Sequence, residues 1–259
     1  MKQNNKKKSF LAFCAGILLI GFFLHTGGFL KGNRIVFPGL PEIGQAFFRL
    51  LSSGATYKKI GVTLLHVAEA LLLSAGAGIL IGLAEAYREW IYSLFRPVMI
   101  FLRSIPMIVL VILIMSTISY HSVPVAATCM VLVPIFSEAV YEGTRSISQE
   151  LIDVYRMDSG FSFRVAANVY LPLISGYLKQ AFINAAGMGI KVAVSAEYLV
   201  QSRDSLGKAV FLSSYSSEYA EIYAYALMMI LLVLLITEVP GLLIKLFTGE
   251  KTREITIPG

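Results

Sequence analysis

The sequence is dominated by apolar blocks that are long enough to cross a lipid bilayer. Crossing about 30 Å of hydrocarbon takes about 20 helical residues at about 1.5 Å each. Six blocks qualify, at residues 10–30, 61–87, 90–117, 123–145, 171–196 and 222–247. Only 15% of the 259 residues are charged, whereas a soluble domain carries about 25%. The sequence therefore predicts an all-α integral membrane protein with six transmembrane helices.

The first block follows a basic N-terminus, residues 1–8, which includes Lys6, Lys7 and Lys8. A basic segment before an apolar one is also typical of a signal peptide. A signal peptide would end at a small-x-small cleavage site, and the residues around His25 match that pattern poorly. We therefore predict that residues 9–30 are an uncleaved first transmembrane helix.

Lysine and arginine residues predict the orientation, because they collect in the cytoplasmic loops of membrane proteins. With the N-terminus inside, thirteen of them lie on the cytoplasmic side and seven outside, and Arg103 and Lys191 lie within the membrane. This bias predicts that both termini are cytoplasmic, including the tail at residues 248–259.

Two connections between the blocks are longer than simple turns. The outer one, residues 31–60, contains an amphipathic stretch that starts at Pro41 and continues through Ile43, Ala46, Phe47, Leu50 and Leu51. Such a stretch is typical of a helix on the membrane surface. The remaining residues, 61–247, form the predicted core of five helices. They include the inner connection, residues 146–170, between the fourth and fifth blocks.

The inner connection has the pattern of two short helices joined by a tight turn. Ser148 can cap the first helix, and Ser162 the second. Between them, Ser159 and Gly160 break the pattern, because glycine tolerates the backbone angles of a sharp turn. Two short helices held at an angle form a rigid knob for a groove in a partner protein. An amphipathic connector resting on lipid headgroups fits the pattern equally well.

The inner connection also resembles the EAA loop of binding-protein-dependent ABC importer permeases. That loop has a glutamate and two alanines, then a glycine, and further on a Leu-Pro pair. Its spacing falls here on Asp153, Val154, Tyr155, Ser159 and Pro172. Aspartate thus replaces the glutamate, neither alanine is present, and the glycine stands one position later.

Other segments resemble the nitrate/sulfonate/taurine-type permeases, and the resemblance covers residues from about 37 to 247. The segments are residues 63–67 and 78–83, Arg96-Pro97, the L-R-x-I-P run at residues 102–106, residues 189–197, and Leu206-Gly207. The resemblance implies the type I ABC importer permease fold, with a cytoplasmic coupling helix. It also implies a bacterial inner-membrane location.

The resemblance further implies a division of labour among several subunits. Two permease copies, most simply a homodimer, would work with a cytoplasmic ATPase and an extracytoplasmic solute-binding protein. ATP and Mg²⁺ would bind the ATPase, and this chain would bind no cofactor. The cargo would be a small anion such as nitrate, a sulfonate or taurine, or a pyrimidine-like compound. The ATPase-coupling residues would be Asp153, Val154, Tyr155, Arg156, Ser159, Gly160 and Pro172.

Ionisable residues at membrane depth indicate functional sites, because burying a charge in lipid is costly. We predict that Glu69, Arg103, Lys191 and Glu197 lie on the translocation pathway. Two structural ion pairs, Glu69–Arg103 and Lys191–Glu197, are the alternative. Where substrate is contacted, Arg103 and Lys191 favour an anion.

Several other functions lack the residues they need. The chain has no G-x-x-x-x-G-K-S/T phosphate loop, so it is not predicted to be the ATPase. No cluster of histidines and acidic residues suggests a metal site or an embedded enzyme, and no catalytic residue is predicted. The net charge of +6 forms no continuous basic face for nucleic acid. An ATP-independent secondary transporter or channel is the alternative, although such proteins often contain an internal repeat that we do not find here.

Two glycines on the second predicted span, Gly78 and Gly82, form a G-x-x-x-G pair that allows another helix to approach closely. The pair either packs within the subunit, which we favour, or contacts a second copy.

Overall fold

A computed structural model of the chain describes residues 36–148 and 169–247. The first predicted span and most of the inner connection, including residues 153–160, lie outside the described residues. The described residues form helices joined by short connections, and none of them lies in a strand. Its helices are α1 (Leu40–Leu51), α2 (Gly54–Tyr87), α3 (Glu89–Ser104), α4 (Met107–Met115), α5 (Val123–Arg145), α6 (Leu171–Leu173), α7 (Ser175–Val200), α8 (Leu206–Tyr215) and α9 (Tyr219–Phe247).

Three described helices are long and apolar enough to cross a membrane by themselves. They are Gly54–Tyr87, Val123–Arg145 and Tyr219–Thr237, and the bent pair of α3 and α4 makes a fourth if it counts as one span. The predicted fifth span is not among them: α7 runs for 26 residues, but Lys179, Lys191 and Glu197 make it less apolar. One turn, α6, precedes it, with a break at Ile174. Small side chains such as Ala181, Ala185 and Ala193 face the core from α7. The described residues thus support a multi-pass all-helical membrane protein.

The third predicted span, 90–117, is wrong as a single helix. The axes of α3 and α4 differ by 104°. The break falls at Ile105 and Pro106, whose ψ angles of 128° and 134° are extended rather than helical. A proline disfavours the helical conformation in the residue before it and donates no backbone hydrogen bond. The break therefore follows from the local sequence.

Helices α2 and α5 run parallel to each other. At one end the His66 and His121 rings are 6.1 Å apart, and towards the other end Ser137 donates to Glu85 over 2.7 Å. Because α2 ends at the opposite side of the bundle from the start of α5, the bent pair α3–α4 connects the two sides.

Helix α7 is antiparallel to α2 and α5, and α9 runs in the same direction as α2. Near its end, α7 brings Glu197 within 2.8 Å of His66, and Ile174, which caps its start, packs against Gly143 near the end of α5. Helix α9 packs antiparallel to α7. Its Tyr225 hydroxyl lies 3.4 Å from Nζ of Lys59 near the start of α2.

The close approach of α2 and α5 depends on Gly78 and Gly82. A Cβ atom on Gly78 would lie 2.5 Å from Cβ of Phe136, and one on Gly82 would lie 2.6 Å from the carbonyl oxygen of Ser137. Neither position has room for a methyl group. Of the two alternatives for this glycine pair, packing within the subunit is confirmed.

The amphipathic helix α1 packs against protein with its apolar face. Ala46 and Leu50 join a core cluster with Tyr225 of α9, and Arg49 forms a 2.8 Å ion pair with Glu221. This packing differs from the expectation that the apolar face rests on the membrane surface. The pattern correctly indicated an amphipathic helix, but the hydrophobic periodicity does not distinguish a lipid neighbour from a protein neighbour.

Candidate translocation pathway

The structure does not bring the four predicted pathway residues together. Glu197 is completely buried, whereas Glu69 and Lys191 are exposed in the described part of the chain. Arg103 lies in the last turn of α3. Neither expected ion pair forms, because Arg103 pairs with Glu138 and Glu197 pairs with His66.

Glu197 is the centre of a buried polar network that joins α2, α7 and α8. Its Oε2 accepts hydrogen bonds from the Thr63 hydroxyl at 2.9 Å and from the Gly207 backbone N–H at 3.1 Å. Its Oε1 lies 2.8 Å from Nδ1 of His66. Thr63 in turn accepts the backbone N–H of Leu206 at 3.0 Å. The carboxylate thereby receives donors on both oxygens, the condition under which a buried charge is tolerated.

The network also fixes the start of α8. Backbone N–H groups in the first turn of a helix have no intrahelical partner, and the helix dipole favours a negative charge there. Gly207 permits the approach, because a Cβ at this position would lie 2.4 Å from Cβ of Glu197. Glu197 thus serves as a cap for α8 as well as a partner for α2.

Arg103 connects α3 to α5. Its Nη2 atom lies 2.5 Å from Oε2 of Glu138 and 2.9 Å from the carbonyl oxygen of Pro134. The Arg103 and Glu138 side chains are 42% and 57% exposed. An exposed pair contributes little to stability, about 0–1 kcal/mol. We interpret this contact as one that orients the bent helix rather than as a major source of stability.

A polar pocket of about 250 Å³ lies beside this pair. Glu85 and Ser137 line it from α2 and α5, and Glu85 is only 4% exposed. Tyr92 of α3 stacks on Tyr141 of α5, with ring centroids 4.2 Å apart. Glu85 was not among the residues predicted from the sequence. The sequence did carry one signal for it, which was the position of this carboxylate just inside the end of the predicted span 61–87.

A second and larger cavity, of about 600 Å³, lies between α2 and the start of α5. Glu69, His66 and His121 supply polar groups to its wall. Its other lining residues are Val62, Leu65, Leu73, Ser122, Val125, Ala126, Cys129 and Met130. A concave, mainly apolar site of this size with a few convergent polar groups is typical of small-molecule binding. Of the four predicted pathway residues, Glu69 lines this cavity.

In the α7–α8 connection, Asp204 forms a 2.8 Å ion pair with Lys58, which lies near the start of α2. The hydrogen bond from Lys58, together with its charge, holds the pKa of Asp204 below its ordinary value. The contribution of this pair to stability is therefore present at neutral pH and is lost only as the pH falls through the lowered pKa.

The helical bundle and its apolar spans define a multi-pass membrane protein. The chain belongs to the family of binding-protein-dependent transport system inner membrane components, which matches residues 74–249. It is therefore a membrane component of an ABC transporter, and the expected resemblance to importer permeases is confirmed at the level of the family. The finer nitrate/sulfonate/taurine subtype stays a prediction.

The fold is similar to that of a chain in an inward-facing crystal structure of the MetNI methionine ABC transporter. The TM-score is 0.57 at 17% sequence identity, and the match covers 77% of this chain and 96% of that chain. At this identity the likeness concerns the fold alone. A comparison with curated proteins gives no significant match.

Proposed function

We propose that the chain is the permease subunit of an ATP-driven importer, which moves a small solute delivered by an extracytoplasmic binding protein. The observation that carries the proposal is the family match over residues 74–249, which spans α5, α7 and the connection between them. ATP hydrolysis, with its Mg²⁺, belongs in this proposal to a separate ATPase subunit. The permease forms a homodimer and supplies the path and the mechanical coupling.

The proposed topology has six spans with both termini in the cytoplasm. The helix directions support it, since α2, α5 and α9 run one way, and α7 and the bent pair run the other. A first helix at residues 9–30 entering from the cytoplasm places the start of α2 outside and the end of α9 inside. The excess of lysine and arginine on the same side supports this orientation.

The proposed coupling element is the connection at residues 146–170. The helix ends that flank this connection lie close together at one side of the bundle. An added Cβ on Gly143 would lie only 3.0 Å from Cβ of Ile174. Both ends of the connection therefore lie on the side where the ATPase would dock in this proposal. Asp153, Val154, Tyr155, Arg156, Ser159 and Gly160 are its proposed contacts with the ATPase, and Pro172 lies in α6 where the chain returns to the bundle.

Substitution in this loop tests the proposal. We expect wild-type chain purified in mild detergent to retain an ATPase subunit, and Asp153→Lys or Gly160→Trp to lose it. A reversed charge or a large ring in a docked surface removes complementarity. Gly44→Trp is the matched control, since a Cβ at Gly44 meets nothing within 4 Å and α1 lies on the proposed outer side.

Transport measurements provide the decisive outcome. Liposomes that contain the permease, the ATPase and the binding protein are expected to take up cargo only with ATP. A permease that transports alone, driven by a solute or ion gradient, would overturn the proposal in favour of a secondary transporter or channel. The cargo class in this proposal is a small anion such as nitrate, a sulfonate or taurine, or a pyrimidine-like compound.

A further inference from the structure

Glu69 is an exposed carboxylate near the middle of a membrane-spanning helix. It stands 15 residues after Gly54 and 18 before Tyr87, about 22 Å and 27 Å from the two ends of α2. In the described part of the chain it has no hydrogen bond or ion pair. Ionisable groups at such a depth normally face a water-filled cavity or the bundle interior and mark a solute path.

The cavity beside Glu69 is acidic. Among the described residues that line it there is no lysine or arginine, so Glu69 supplies its formal charge. Apolar side chains such as Leu65, Val125 and Met130 make up most of the remaining wall. This composition disfavours an anion and suits a partly apolar solute.

His66 presents a defined hydrogen-bonding group to the same cavity. The residue is only 6% exposed, and its Nδ1 lies 2.8 Å from Oε1 of Glu197. We assign the tautomer in which Nδ1 donates to this carboxylate, and that assignment leaves Nε2 as an acceptor. Every fully buried side-chain nitrogen or oxygen in the described residues has a partner. Nε2 has no partner among these residues, so it is not fully buried, and His66 lines the cavity.

We propose that this cavity is a cargo-contact site for a small organic solute that carries N–H donors on an apolar or heteroaromatic body. An amino or ammonium group of the solute donates to the Glu69 carboxylate, and a second N–H donates to Nε2 of His66. The inference rests on the proposed importer function and narrows its cargo class. An amino-substituted pyrimidine fits the site, whereas nitrate and simple sulfonates do not.

Cys129 lines the cavity and can report its charge selectivity. The chain has two cysteines, so Cys14→Ser leaves Cys129 as the single thiol. The full chain in native membranes is treated with cationic trimethylammonium-ethyl or anionic sulfonatoethyl methanethiosulfonate. Each rate is divided by the rate of the same reagent with 2-mercaptoethanol. A charged cleft changes the arrival rate of ions by about tenfold or more, and we expect a normalised preference of that size for the cation.

Glu69 variants in the Cys14→Ser background decide whether that carboxylate is the cause. Glu69→Gln should bring the cation preference to about 1, because the reagents then meet no charge in the cavity. Glu69→Asp should keep the preference. Glu138→Gln is the matched control, since it removes a carboxylate outside this cavity and should change nothing. A cation preference that survives Glu69→Gln, or faster reaction with the anion, overturns the charge assignment.

The chemical class of the cargo is tested by protection of Cys129 from uncharged N-ethylmaleimide. We expect 4-aminopyrimidine to slow the reaction and propanesulfonate at the same concentration to leave it unchanged. Protection by propanesulfonate, or none by 4-aminopyrimidine, overturns the proposed cargo class. These measurements need neither the ATPase nor the binding protein. Their failure therefore leaves the importer proposal standing, and loss of the ATPase partner leaves the cavity result interpretable.

Discussion

Replacement of Glu197 by alanine is expected to lower the free energy of unfolding by about 3 kcal/mol or more, because it leaves three buried donors without an acceptor, each at a cost of about 1–3 kcal/mol. The Thr63 hydroxyl, the His66 ring and the Gly207 backbone N–H all point at this carboxylate. Once it is gone, the start of α8 loses its cap and the contact between α2 and α7 loses its polar centre. Denaturant titration in mixed detergent micelles, followed by circular dichroism, measures the change.

Glu197→Gln separates the effect of the charge on stability from the effect of the side-chain shape at the same position. The amide keeps the volume but turns one acceptor into a donor that faces another donor, which costs about 1–3 kcal/mol. Glu138→Gln is the matched control, since that carboxylate is 57% exposed and its loss should change stability by about 0–1 kcal/mol. Equal effects at the two positions would contradict the central role that we assign to Glu197.

Replacement of Gly78 by alanine is expected to destabilise the bundle by about 1–3 kcal/mol or more through overpacking. The new methyl group would lie 2.5 Å from Cβ of Phe136 and 2.8 Å from the carbonyl oxygen of Val133. A backbone atom cannot turn aside as a flexible side chain can, so α2 and α5 must separate. The same titration reports the loss, and Gly82→Ala should behave alike.

Gly76→Ala, on the same helix, is expected to change stability in the opposite direction. A Cβ at this position meets nothing within 4 Å, and alanine is favoured over glycine inside a helix by about 0.5–1 kcal/mol. We therefore expect Gly76→Ala to be neutral or stabilising while Gly78→Ala is destabilising. If both variants lose the same stability, helix propensity rather than the α2–α5 contact would be responsible.

The helices themselves followed closely from the sequence. The spans predicted at 123–145 and 222–247 correspond to α5 and to most of α9, because long apolar blocks have few alternatives in lipid. The bend at Ile105 and Pro106 was not predicted, although its cause is local, since proline acts on its immediate neighbours. The early start of α2 at Gly54 was missed, because polar residues such as Lys58 and Lys59 continue the helix beyond the apolar block.

The candidate site was only partly predictable. Four ionisable residues were singled out by their depth, but both expected pairings were wrong. Whether Arg103 meets Glu69 or Glu138 depends on how far α3 turns away from α4. Whether Glu197 meets Lys191 or His66 depends on which face of α7 packs on α2. Neither the angle between α3 and α4 nor the packed face of α7 is set by residues close in sequence.

Membrane embedding and the all-helical class were determined by the sequence alone. They depend on the content and length of the apolar blocks, and the free energy of transfer into lipid is largely a sum over residues. The tertiary structure alone decided the polar chemistry. It placed Glu197 beside His66 and placed Glu69 in the wall of a mainly apolar cavity, together with His66. Such contacts arise from the rotation and offset of helices that are distant in sequence, so the cavity, on which the proposed cargo class rests, forms only when α2, α5 and α7 are packed together.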